Sequence, residues 1–121
     1  MRDQMLNKRE LGSRYEQLAA AYLESRGLKI LERNFWCRSG EIDIIARDED
    51  TLVFLEVKYR QDHQSGFPAE AVTLSKQRAI CKTAAYYMLI RQIPQDFPCR
   101  FDVVTVEGAR VEWIQNAFGG F

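Results

Sequence analysis

The chain has 121 residues, 46% of them hydrophobic and 28% charged, with 17 basic and 17 acidic side chains and a formal net charge of zero. That length and balance suit one domain with its own core, and they exclude an intrinsically disordered chain. Zero net charge weighs against tight non-specific binding to nucleic acid, which usually draws on a basic excess, yet it leaves room for a local basic face.

From Leu11 to about Arg26, apolar residues fall at Leu11, Tyr15, Leu18 and Tyr22, in steps of three and four that mark one face of a helix. Ala19 and Leu23 widen that face, and Gly27 follows as a helix stop. Residues 1–8 and 119–121 are expected to fray. Leu28 to Trp36 reads as a strand, and Arg38-Ser39-Gly40 as a turn. Glu41 to Arg47 and Thr51 to Tyr59 are rich in Ile, Val, Leu and Phe, and Asp48-Glu49-Asp50 separates them, so the pair reads as a β-hairpin. Gln61 to Phe67 is polar and reads as a loop. A second helix starts between Pro68 and Thr73, carries Leu74, Cys81, Ala84, Ala85 and Met88 on one face, and ends before Pro94. Lys76 lies on its flank with Ile80 and Tyr87. Arg100 to Val106 and Val111 to Ile114 read as the last strands, with Gly108 in the turn between them. The order α-β-β-β-α-β-β over residues 1–121 is a single α/β domain, a mixed sheet flanked by helices.

Three widely spaced cysteines, Cys37, Cys81 and Cys99, form no C-x-x-C pair and read as reduced thiols. A single histidine, His63, makes a Cys/His zinc site hard to assemble. No apolar stretch approaches the ~18 residues that span a bilayer, and the first residues lack an apolar signal core. A cytoplasmic protein with no membrane partner is therefore expected.

The hairpin holds the residues that carry chemistry. Glu56 and Lys58 are two apart on one strand, so their side chains share a face. If the turn centres on Glu49 and Asp50, residues whose numbers sum to about 99 face each other, and Asp43 opposes Glu56. Two facing carboxylates among Ile42, Ile44, Phe54 and Leu55 repel and are costly to bury. Either Lys58 neutralises one of them as a structural ion pair, or a divalent cation lies between them. A hard cation such as Mg²⁺ suits one or two carboxylates completed by waters and phosphate oxygens, and a lysine beside it suits phosphodiester hydrolysis. Glu16, in the helical row Gly12, Glu16, Ala19, Leu23, is an acid aimed towards the sheet or a solvated helix charge. Lys76 likewise is a phosphate contact or a solvated flank.

Gly40-Glu41-Ile42-Asp43-Ile44-Ile45-Ala46, followed by Val53-Phe54-Leu55-Glu56-Val57-Lys58-Tyr59-Arg60, resembles the YraN-like family of uncharacterised bacterial proteins. That family belongs to the PD-(D/E)XK nuclease superfamily and is similar to archaeal Holliday-junction resolvases. The likeness extends to Gly12 with Glu16, Arg33-Asn34, Lys76, Phe101 to Val104 and Ala117-Phe118, and so covers nearly the whole chain. The proline of the superfamily motif is replaced by Ile42.

The resemblance implies a restriction-endonuclease-like core. It implies Asp43 and Glu56 as Mg²⁺ or Mn²⁺ ligands, completed by the Val57 carbonyl, with Lys58 as the catalytic lysine and Glu16 as a supplementary acid. Lys76, Arg60 and Arg33 would be the nucleic-acid contacts. The expected activity is a metal-dependent endonuclease on DNA, with branched or otherwise structured DNA as candidate substrate and a homodimer as the form that suits two-strand cleavage. A non-catalytic nucleic-acid-binding module on the same fold, and a structural ion-pair cluster, are the competing readings.

Overall fold

The structure, a computed structural model, describes residues 4–59 and 72–119, with side chains from Leu11 onward. Two helices and five strands follow in the order α1 (Gln4–Ser25), β1 (Lys29–Cys37), β2 (Gly40–Asp48), β3 (Thr51–Tyr59), α2 (Leu74–Ile90), β4 (Cys99–Glu107) and β5 (Arg110–Phe118). The strands form one sheet in the order β1-β2-β3-β4-β5. All neighbours are antiparallel except β3 and β4, which run parallel and are joined through α2. This is the mixed-sheet α/β architecture that the residue pattern predicts, consistent with a restriction-endonuclease-like core.

The parallel step matters for the site. A parallel pair needs a crossover, and α2 supplies it on one face of the sheet while α1 covers the other. Two cores result. On the α1 side, Ala19 and Leu23 pack on Ile44, Ala46, Val53, Leu55, Val104 and Val106. On the α2 side, Ile80, Ala84, Tyr87 and Met88 pack on Ile42, Ile45, Leu52, Phe54 and Val103.

Both helices turn inward a face shifted from the one their apolar counts suggest. On α1 the fully buried residues are Ala19 and Leu23, while Leu11 and Leu18 are exposed. On α2 the buried set is Ile80, Thr83, Ala84, Tyr87 and Met88. Leu74 is exposed at 53%, and Cys81 and Ala85 are not in the core. Close approach decides this. Small residues let α1 lie near the sheet, and Tyr87 wedges edge-on against Phe35 and Phe54, with ring centroids 5.1 and 6.0 Å apart. The rows that face the sheet are therefore those of Glu16 on α1 and of Lys76 on α2.

Element ends follow local chemistry. Leu28 is expected as the first strand residue, but it closes α1 instead. Its N–H reaches the Leu23 carbonyl at 3.1 Å across Gly27, whose φ of 99° takes the left-handed cap position. Thr73 caps α2 by accepting from the Lys76 N–H at 3.1 Å. At the other end Gln92, with φ of 60°, lets the Ile93 N–H reach the Met88 carbonyl at 2.8 Å. α1 starts at Gln4 rather than Leu11, and β5 runs to Phe118 rather than Ile114. The polar segment Gln61 to Phe67 lies outside the described residues, as do His63 and Pro68. No helix among the described residues is long and apolar enough to cross a membrane.

Candidate metal centre

The β2–β3 ladder pairs residues whose numbers sum to 99, from Asp48 with Thr51 to Ile44 with Leu55. One further step places Asp43 opposite Glu56, as the hairpin arithmetic expects, but the ladder stops before it. Instead Asp43 Oδ2 accepts a hydrogen bond from the Val57 N–H at 2.8 Å. The acid thus takes a backbone donor where a ladder bond would have been.

A second irregularity lies beside it on β1. Asn34 falls between the pairs Arg33–Ile44 and Phe35–Ile42, so it is the residue facing Asp43 from the other side. Its φ is 54°, a left-handed conformation that a non-glycine residue rarely adopts and that asparagine tolerates best. This kink breaks the in-out alternation of β2: Ile44 belongs to the α1-side core, whereas Ile42, two residues away, belongs to the α2-side core. The Asn34 amide donates to Glu16 Oε1 at 3.0 Å and to Glu41 Oε2 at 3.2 Å. Arg33 lies 3.6 Å from the same Glu16 oxygen.

Four acids therefore surround one short stretch of strand. Burial pushes the Asp43 carboxyl up to about 8, and the negative charge of Glu56 adds to that push, with smaller contributions from Glu16 and Glu41. Glu56 is only 7% exposed, and burial raises its carboxyl too, against the pull of Lys76 first and Lys58 second. Lys76 Nζ stands 3.6 Å from Glu56 Oε2. The other oxygen, Glu56 Oε1, is buried with no hydrogen-bond partner among the described residues.

The expected residues are thus distributed as follows. Asp43, Glu56 and the Val57 backbone come together on β2 and β3, and Lys58 is close enough to act on the Glu56 charge. The sequence pattern expects Lys58 as the ion-pair partner of the acids. The lysine that pairs with Glu56 is Lys76, delivered by the inward row of α2. Glu16 faces the site but is held by Asn34 and Arg33. Arg60 lies outside the described residues. Asn34 and Glu41 are members of the site that strand alternation does not flag. The signal that would have found Asn34 is an asparagine within a strand, opposite a charged motif residue.

The donor set suits a hard divalent cation. Two convergent carboxylates, one of them raised to about 8 and the other with a bare oxygen, are costly to leave as they are. No group of three or more His, Cys, Asp and Glu side chains converges to hold a metal among the described residues. A site of two carboxylates completed by a backbone carbonyl, waters and substrate oxygens is the Mg²⁺ pattern rather than the closed zinc one.

Over residues 15–106 the chain matches the model of a family described as uncharacterised protein family UPF0102. It is 49% identical over 116 residues to a UPF0102 protein of Lachnoclostridium phytofermentans, covering 96% of this chain and 98% of the relative. A UPF0102 protein of Syntrophus aciditrophicus is 50% identical over 107 residues, covering 85% and 84%. One from Nitrosomonas europaea is 46% identical over 110 residues, covering 88% and 92%. None of these descriptions names an activity.

Proposed function

The chain belongs to the UPF0102 family, the YraN-like family that its hairpin motifs resemble, and from that premise we propose that it is a metal-dependent endonuclease hydrolysing phosphodiester bonds in DNA, with branched or otherwise structured DNA as the substrate to try first. One observation carries the proposal: two near-facing carboxylates, Asp43 half-buried and Glu56 buried, with Glu56 Oε1 lacking any hydrogen-bond partner among the described residues. A fold does not keep such an oxygen for stability, since an orphaned buried acceptor costs about 1–3 kcal/mol.

Asp43 and Glu56, with the Val57 carbonyl, would hold Mg²⁺ or Mn²⁺. Bound there, the ion supplies Lewis-acid stabilisation of the charge that develops on the phosphate oxygens. Lys58 shares the Glu56 face of β3 and would orient the attacking water and offset that same charge. Lys76 would exchange Glu56 for a substrate phosphate. Its ion pair is half exposed, and such pairs hold only ~0–1 kcal/mol. Glu16, steered by Asn34, would tune the charge around Asp43, and Arg33 and Arg60 would meet the backbone of the nucleic acid.

The test is cleavage of labelled junction, flap and duplex DNA with Mg²⁺ or Mn²⁺. Chelation should abolish cleavage, and Asp43→Asn or Glu56→Gln should lower it by roughly 100-fold or more, beyond what loss of a metal's outer partners costs. Undiminished cleavage by either variant would sink the assignment. A second reading, a non-catalytic nucleic-acid-binding module, is favoured by the Lys76–Glu56 pair, which already closes one carboxylate from within. DNA binding that tolerates both chelation and Glu56→Gln, with no cleavage of any substrate, would select it.

A further inference from the structure

Beside the site, a surface trough runs along α2, with the β1–β2 turn as its second wall in part. Three adjoining depressions of about 410, 480 and 490 Å³ make it up. The first two share Ser39, and the last two share Arg78 and Lys82. Arg38, Ser75 and Tyr86 line it further along. No aspartate or glutamate lines any of the three depressions among the described residues, although acids equal bases in the chain as a whole. The charged residues that line it are Arg38, Arg78 and Lys82, all basic.

The walls are held firmly. Gly40 brings the turn so close to α2 that a Cβ there would stand 3.3 Å from Thr83 Oγ1 and 3.4 Å from the Ala79 Cβ. Ser39 Oγ lies 3.2 Å from Thr83 Oγ1, which itself donates to the Ala79 carbonyl at 2.8 Å. The trough starts at the first turn of α2, where no acid offsets the positive end of the helix. It also starts next to Lys76, whose ammonium is 3.6 Å from Glu56. Ser75 in the trough and Lys76 at the acid pair are thus neighbours in the first turn of one helix.

We propose that this trough seats the sugar–phosphate backbone of one nucleic-acid strand and leads it to the Asp43–Glu56 site, with Arg38 and Lys82 contacting phosphates and Ser75 donating a hydroxyl hydrogen bond. The proposal rests on the nuclease reading above. From Ser75 to Tyr86 the helix rises ~16 Å, which matches about five nucleotides of a B-form strand. Charge complementarity and a hydroxyl donor with no acids are what a phosphate backbone needs. The contacts read no bases, so binding here is indifferent to sequence.

The test is fluorescence anisotropy of a labelled 20-nucleotide DNA strand and its duplex, in chelator, over a salt series. Arg38→Ala with Lys82→Ala should weaken binding roughly tenfold and flatten the log–log salt slope by about 1.8 for duplex, about 0.9 for each phosphate no longer neutralised. Arg14→Ala with Arg110→Ala, equal in charge and away from the trough, should change neither. Equal losses in both pairs, an unchanged slope in the first, or displacement of the DNA by polyglutamate at matched charge would overturn the proposal. Hydrolysis of bis(4-nitrophenyl) phosphate with Mn²⁺ separates this from the site itself. The trough variants should keep it while losing DNA cleavage. Absence of hydrolysis in the unmodified protein would contradict the nuclease reading alone and leave the binding series to decide the trough.

Discussion

Glu56 on β3 and Asp102 on β4 are both buried carboxylates of one sheet, and their surroundings differ sharply. Asp102, 0% exposed, accepts from the Arg100 guanidinium at 3.1 Å, the Trp113 indole N–H at 2.9 Å and the Asn116 N–H at 2.7 Å. Arg100 also pairs with Asp48 at 3.0 Å, so the cluster ties β4 to β5 and to the end of β2. Its lone pairs are answered from within. Glu56 has one oxygen 3.6 Å from a half-exposed lysine and the other bare, with Asp43 beside it. A fold that satisfies one buried acid so fully has the means to satisfy the next. The difference is what the proposed reading expects, with Asp102 as structure and the Asp43–Glu56 pair as the proposed metal site.

Breaking the satisfied cluster should give the largest effect. Asp102→Ala leaves the Trp113 and Asn116 N–H donors unanswered and Arg100 with Asp48 alone, and should cost ~3–5 kcal/mol in urea unfolding, the range for removing one partner of a buried pair. Glu56→Gln removes a charge whose surroundings disfavour it, so the metal-free protein should lose less than ~1 kcal/mol. A loss as large as that of Asp102→Ala would erase the contrast.

The pH dependence of Asp43 comes next. Its carboxyl is raised from the ordinary 3.8 to about 8, so between those values the folded state holds a proton that the unfolded state releases. Stability of the metal-free protein should therefore fall as pH rises from about 4 to about 8. Relative to the unmodified chain, Asp43→Asn should gain ~2 kcal/mol between pH 5 and pH 8 once partial exposure is discounted. Paired melts at the two pH values read this directly, and parallel pH profiles would refute it. The last contrast belongs to Asn34. Asn34→Ala, forced to keep φ at 54°, should cost ~1 kcal/mol, whereas Asn34→Gly should lose only the amide bonds and restore part of that stability.

The hairpin was legible because it is local: a two-residue turn and strict pairing place Asp43 against Glu56 by counting alone. Glu16 and Lys76 were legible as residues but not as partners, since their orientation depends on which helical row turns inward. That choice is made by Ala19, Leu23 and Tyr87 through packing, which an apolar count does not weigh. The Asn34 kink was hidden for a related reason. It departs from the alternation on which strand reading depends, and only its two carboxylate partners, Glu16 and Glu41, and its position opposite Asp43 give it meaning.

Calorimetric titration of the chain with Mn²⁺ at pH 7, repeated in buffers of different ionisation enthalpy, tests the central claim most directly. An Asp43–Glu56 site should bind the ion, release close to one proton from Asp43 as it does so, and raise the melting temperature by mass action, and Asp43→Asn should abolish the proton release. No binding heat and no rise in melting temperature at millimolar Mn²⁺ would contradict it.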